Sequence, residues 1–91
     1  MTHKFNVGQT VVVNNRHAIS DLKSDLLLDL QDGYITSVTH DKILRRLETK
    51  GAFYIKTITA DRCYELADTK TGTAHIVVPE ENLEHYIAQA P

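Results

Sequence analysis

After Gly51 the chain consists of three runs rich in strand-forming residues, parted only by brief polar turns. Ala52 to Thr59 alternates, with Phe53, Ile55, Thr57 and Thr59 on one side and Tyr54, Lys56 and Ile58 on the other. Cys63 to Ala67 follows the turn Ala60-Asp61-Arg62, and Thr73 to Val78 follows the polar turn from Asp68 to Gly72. Connections this short join antiparallel neighbours, because a parallel pair needs a crossover of a dozen residues or more. The second half of the chain is therefore a β-meander. Pro79 ends the last run by removing a ladder donor and fixing φ. Glu80 to Tyr86 reads as a short helical turn that folds Leu83 and Tyr86 or Ile87 onto the core, and Ala88 to Pro91 as a frayed end.

The first half is less uniform. Gln9 to Asn14, with three consecutive valines, reads as a strand ended by Asn14-Asn15. Ile19 to Leu30 reads as a helix, capped by Ser20 or Asp21. At 100° per residue, Ile19, Leu22, Leu26, Leu27 and Leu30 fall on one broad stripe, and Gly33 stands where a left-handed closing residue belongs. Tyr34 to Thr39 suits a strand. His40 to Lys50 admits two readings. One is a helix capped by Thr39 or Asp41, with Ile43, Leu44 and Leu47 on a face and Gly51 closing it; the other is a β-hairpin arm turning at Lys50-Gly51. The apolar spacing of three and four favours the helix. Five short strands with brief turns would close, or nearly close, as a small antiparallel barrel without exposed edges.

Size restricts function. A chain of 91 residues is expected to be a single domain, 1–91, with a small core, into which a deep water-excluding catalytic pocket is hard to carve. Hydrophobic residues make up 42% and charged residues 24%, the balance of an ordinary globular domain rather than a disordered chain. The longest apolar runs, Thr10 to Val13 and Leu26 to Leu28, are far too short to span a bilayer. One cysteine forms no internal disulfide and no basic-then-apolar leader opens the sequence, so a cytoplasmic setting is expected.

Chemistry-bearing constellations are sparse. The histidines His3, His17, His40, His75 and His85 and the lone Cys63 show no zinc-finger spacing, and His-Glu-x-x-His is missing. Cys63 with His75 and Asp61 or Asp68 nominally offers a thiol, a base and an orienter, but a mid-strand cysteine more often packs as a small hydrophobe. The four glycines are isolated, so no phosphate-cradling loop exists. No metal, cofactor or catalytic residue is expected.

Charge is more informative. Met1 to Asp32 carries a net −1, Gly33 to Arg62 a net +3 and Cys63 to Pro91 a net −4. Arg45 and Arg46, with Lys42 and Lys50 nearby and Tyr54 in the following run, make the combination a single-strand-binding barrel uses: cations for phosphates and a ring for bases. The bland alternative pairs these cations with Asp41 and Glu48. Asp21, Asp25 and Asp29 recur every four residues beside the leucine stripe, where like charges repel by a few tenths of a kcal/mol per pair. A basic partner would relieve that cost.

Three segments resemble small bacterial and phage barrels of the Src-homology-3-like type, the class that includes KOW and Tudor modules. Phe5-Asn6-Val7-Gly8-Gln9-Thr10-Val11-Val12-Val13 is similar to the lead-in apolar-x-x-Gly-x-x-Val; Gly33-Tyr34-Ile35-Thr36-Ser37-Val38 is similar to the second strand; and Tyr64-Glu65-Leu66-Ala67-Asp68, the turn through Gly72, and Val78-Pro79-Glu80-Glu81-Asn82-Leu83-Glu84 are similar to the closing strand and one-turn helix before a final short strand or tail. The resemblance covers about half the chain. It implies a mainly β fold with short helices: a five-stranded antiparallel Src-homology-3-like barrel with a helical insertion in the first long loop. The expected function is a non-catalytic protein-interaction module or small subunit, in a phage or mobile element an inhibitor of a host complex, with Asp21, Asp25, Asp29, Arg45 and Arg46 facing the partner. The alternative is a nucleic-acid-binding barrel using Lys42, Arg45, Arg46, Lys50 and Tyr54.

Overall fold

The computed structural model describes residues 4–87, so the expectation for Ala88 to Pro91 lies outside the described residues. Along the chain run β1 (Thr10–Val13), α1 (Arg16–Gln31), α2 (Ser37–Glu48), β2 (Phe53–Ile58), β3 (Cys63–Ala67), β4 (Ile76–Pro79), a one-turn 3-10 helix (Glu80–Asn82) and β5 (Leu83–His85). The strands form one antiparallel sheet in the order β4-β3-β2-β1-β5. The meander β2-β3-β4 agrees with the sequence reading, and both helices fall in one long excursion between β1 and β2. The expected barrel is not closed, because β4 and β5 are the two ends of the sheet and no ladder joins them. With helices of 16 and 12 residues the domain is mixed α/β rather than mainly β.

The number of strands agrees with expectation, but one strand is exchanged for another. Tyr34 to Thr39 is not a strand. It holds the end of one helix and the start of the next: Tyr34 N–H bonds the Asp29 carbonyl, and the Thr36 side chain accepts from Thr39 N–H as the cap of α2. Local hydrogen bonds from a capping hydroxyl outcompete the β-propensity of Tyr, Ile and Val here. The fifth strand is Leu83–His85, which pairs with β1 through Val13↔Leu83, Val12↔Glu84 and Val11↔His85. The helical turn expected over Glu80 to Tyr86 is thus confined to Glu80–Asn82.

The helix ends explain the shifted boundaries. Asn15, not Ser20 or Asp21, caps α1, its Oδ1 accepting from His17 N–H at 2.9 Å and Ala18 N–H at 3.1 Å. Both helices close with the paired bonds of a Schellman motif. For α1 these are Gly33 N–H to Leu30 and Tyr34 N–H to Asp29, with Gly33 left-handed at φ 81°. For α2 they are Lys50 N–H to Leu47 and Gly51 N–H to Arg46, so the left-handed residue is Lys50 (φ 55°) rather than Gly51. Gly51 is needed for space, since a Cβ there would stand 2.8 Å from Arg46 Cγ. The segment His40 to Lys50 is accordingly helical and not a hairpin arm.

One sheet face carries the core. Val11 pairs with Phe53, Val13 with Leu83, Ile55 with Leu66, Leu66 with Ile76 and Tyr64 with Val78, and every one of these side chains is buried. Leu22 and Leu26 of α1 and Ile43 and Leu47 of α2 join the same cluster. Ile58 was expected opposite Phe53 and Ile55, yet it pairs with core-facing Tyr64 and packs against the cluster. A register shift between Ile55 and Thr57 inserts one extra residue, which reverses the alternation beyond it. The last long strand is shorter than Thr73 to Val78. It includes Pro79, which a sheet edge tolerates because an outward-facing N–H is dispensable there.

Phe5 is wholly buried, edge-on to Tyr64 at 5.5 Å and to His85 at 4.7 Å between ring centroids. The Tyr64 hydroxyl donates to Glu80 Oε2 at 2.6 Å and accepts from Phe5 N–H at 3.3 Å. Burial, reinforced by the Glu80 hydrogen bond, raises the Tyr64 phenol above its ordinary value. A raised folded-state value means a contribution that is complete below the unfolded phenol's pH near 10 and fades as pH climbs through the folded one. Denaturant titrations are therefore expected to show stability falling above pH 10, with a smaller fall in Tyr64→Phe. An equal fall in both proteins would remove Tyr64 as the cause.

Candidate functional site

The helical turn angle places the charges. On α1, Leu22 and Leu26 point to the core, and Lys23, about 100° further round than Leu22, reaches Glu48 of α2 at 3.2 Å. That flank of α1 faces α2. Asp21 and Asp25 lie on the opposite flank, and Asp25 and Asp29 line an open groove of about 320 Å³ with Leu22, Leu26, His75, Ile76 and Val77. Acidic residues and edge strand β4 thus share one side of the domain.

On α2, Ile43 and Leu47 enter the core while Glu48 turns to α1. Lys42 and Arg46, one turn apart, occupy the flank away from α1, and Arg45 stands beside them. All three line a groove of about 580 Å³ with Val38, Asp41, Thr49, Gly51, Asp68 and Thr69. Arg46 is half-buried and donates from one guanidinium nitrogen to the Ala52 carbonyl at 2.6 Å, which fixes its stem along the groove. Arg45 and Arg46 also sit in the last turn of α2, where a cation offsets the helix dipole by about 0.3–1 kcal/mol.

Of the carboxylates expected to neutralise these cations, Glu48 turns to α1, while Asp41 lines the groove beside them and forms an ion pair with none of them. Glu48 pairs with Lys23 at 3.2 Å, and Asp41 pairs with His40 Nδ1 at 3.3 Å. Among the described residues Lys42, Arg45 and Arg46 make no ion pair, and neither do Asp21, Asp25 and Asp29.

The sequence-derived residues therefore divide into two surfaces. Asp21, Asp25 and Asp29 belong to the α1 flank and Arg45 and Arg46 to the α2 flank, so they do not share a face. Lys42 joins the arginines. Lys50 is exposed beyond the end of α2 and does not line the groove. Tyr54 lies between core-facing Phe53 and Ile55, so it points to the opposite side of the sheet, away from the arginines. Cys63 and His75 stand at opposite ends of the β3–β4 ladder, Cys63 opposite Pro79 and His75 N–H bonded to Leu66, which separates the nominal thiol from its base. Among the described residues no three His, Cys, Asp or Glu side chains converge on a metal position, and no helix is long and apolar enough to cross a membrane. Val38, Thr49, Asp68 and Thr69 were not expected at the site. Asp68 and Thr69 reach it only through the β3–β4 turn, which carries no local signal of its neighbours.

The fold and its surfaces define a small two-helix, five-strand domain with flanks of opposite charge on one helical excursion. The chain matches no family model, no curated protein and no solved structure.

Proposed function

We propose that this chain is a non-catalytic protein-interaction module whose α2 groove takes an acidic surface of a protein partner. The observation that carries the reading is the set Lys42, Arg45 and Arg46, which stand together on an open groove without a carboxylate partner. Unpaired like charges raise the cost of the free state and steer an oppositely charged partner during encounter. The ring that would stack bases, Tyr54, faces the other side of the sheet. Without a stacking ring beside the cations, an acidic protein surface fits the groove better than a single-stranded nucleic acid. A cytoplasmic inhibitor or subunit of phage or bacterial origin is the setting we assign to it.

The same reading extends to the fold. The long excursion after β1, the one-turn helix before a short β5, and the β5-β1 pairing support an opened variant of the Src-homology-3-like barrel, with Phe5 bridging the gap.

Fluorescence anisotropy with a labelled glutamate-rich peptide and a single-stranded oligonucleotide of equal charge tests the site. Peptide binding is expected at low salt and is expected to weaken about ten-fold or more in Arg45→Glu/Arg46→Glu, since each exposed pair contributes up to about 1 kcal/mol and reversal adds repulsion. Oligonucleotide binding without peptide binding would replace this reading with the nucleic-acid one. Binding of neither would remove the groove as a site.

A further inference from the structure

We infer that the acidic surface taken by the α2 groove is the α1 flank of a second copy of this chain, so that copies join head to tail. The inference rests on the reading of the groove as a site for an acidic protein surface, and it names that surface.

Both halves of such a contact are on the same molecule. Asp21, Asp25 and Asp29 form a row of three negative charges one turn apart, and Lys42, Arg45 and Arg46 form a positive group in which Lys42 and Arg46 repeat at the same four-residue interval. At about 1.5 Å rise per residue both rows step by about 6 Å, so two helices laid side by side bring the charges into register. Among the described residues neither row makes an ion pair. Each also carries an apolar side chain in the same stripe: Leu28, 55% exposed, beside the aspartates, and Val38, 61% exposed, beside the cations.

The net charge of −2 and isoelectric point near 6.2 leave little long-range repulsion between copies at neutral pH. Because the two rows lie on opposite flanks of the helical pair, a two-fold dimer cannot satisfy both at once. The contact is heterologous, so it extends beyond a dimer or closes into a ring. Among the described residues Asp41 and Asp68 also line the cationic groove and His75 the acidic one, so the cationic groove keeps a surplus of one positive charge.

Sedimentation of the full chain, wild type and charge-reversed, tests the proposal. Wild type is expected to show a mass above monomer that grows with concentration at low salt and returns to monomer in about 1 M NaCl, where the screening length is about 3 Å. Asp21→Lys/Asp25→Lys/Asp29→Lys and Lys42→Glu/Arg45→Glu/Arg46→Glu are each expected to be monomeric alone and to associate when mixed, since the mixture restores opposite signs at every contact. Should a reversed chain fail to fold by circular dichroism, the milder Asp21→Asn/Asp25→Asn/Asp29→Asn carries the test, and undiminished association in it would overturn the proposal. A monomer at all concentrations up to about 1 mM, or folded variants that stay apart when mixed, would also overturn it. If that monomer still binds the glutamate-rich peptide, the groove reading survives without the second copy. If it binds nothing acidic, both fall.

Discussion

Phe5→Ala is expected to lower the unfolding free energy by about 3–5 kcal/mol, the range for removing a buried aromatic ring. For a domain whose whole stability is about 5–15 kcal/mol, this amounts to a melting temperature lower by roughly 15 °C or more. The expectation comes from where the ring sits. Phe5 touches Tyr64 on β3 and His85 on β5, strands from opposite halves of a sheet that does not close. The Phe5 N–H also reaches the Tyr64 hydroxyl, so backbone and side chain are anchored at once. Phe5→Leu keeps most of the volume and is expected to cost less than about 1.5 kcal/mol. Urea denaturation of both variants measures the pair. A loss under about 1 kcal/mol for Phe5→Ala would mean that the sheet halves hold together without the bridge.

Which parts of this fold were legible depends on whether the deciding interactions are local. Cys63 to Ala67 was readable to the residue, since it is a short β-rich run with polar turns on either side. The helix in α2 was favoured, though not decided against a hairpin arm, by the spacing of Ile43, Leu44 and Leu47. Its start was not, because Thr36 caps it from inside a segment whose composition favours a strand. Ile58 was assigned to the wrong face because a single extra residue near Lys56 reverses alternation, and nothing in Phe-Tyr-Ile-Lys-Thr-Ile marks where a bulge falls. Leu83–His85 looked like the continuation of a helical turn. Its partner Val11–Val13 is some seventy positions away, and pairing at that distance leaves no local trace.

The charges behaved in the same way. Their helices and their spacing were visible in the sequence, so Asp21, Asp25 and Asp29 form the expected row. Their relation to Arg45 and Arg46 was not, because it depends on which flank of each helix meets its neighbour. The Lys23–Glu48 bridge identifies that flank only once the helices are packed. Likewise the pairing of Arg45 and Arg46 with Asp41 and Glu48 was the economical expectation from sequence proximity, yet Lys23 takes Glu48, and Asp41, though it lines the same groove, forms no ion pair with either arginine.

The second large effect is expected at Leu26 and separates two views of the helices. If α1 and α2 were a mere insertion on a self-sufficient β scaffold, truncating a side chain on their inner face would cost little. Leu26, however, is 1% exposed and belongs to one continuous cluster with Val11, Phe53, Leu66 and Ile76. The helices are thus one wall of the core. Leu26→Ala is expected to cost about 2–5 kcal/mol, whereas Leu27→Ala, one residue along and 47% exposed, is expected to stay within about 0.5 kcal/mol of wild type. Sequence patterning placed both leucines on the same stripe, so the contrast tests the packing rather than the helix. Similar small losses in both variants would restore the picture of a self-sufficient sheet carrying a dispensable helical loop. A large loss confined to Leu26 would mean that the core itself holds the charged flanks of α1 and α2 at a fixed spacing.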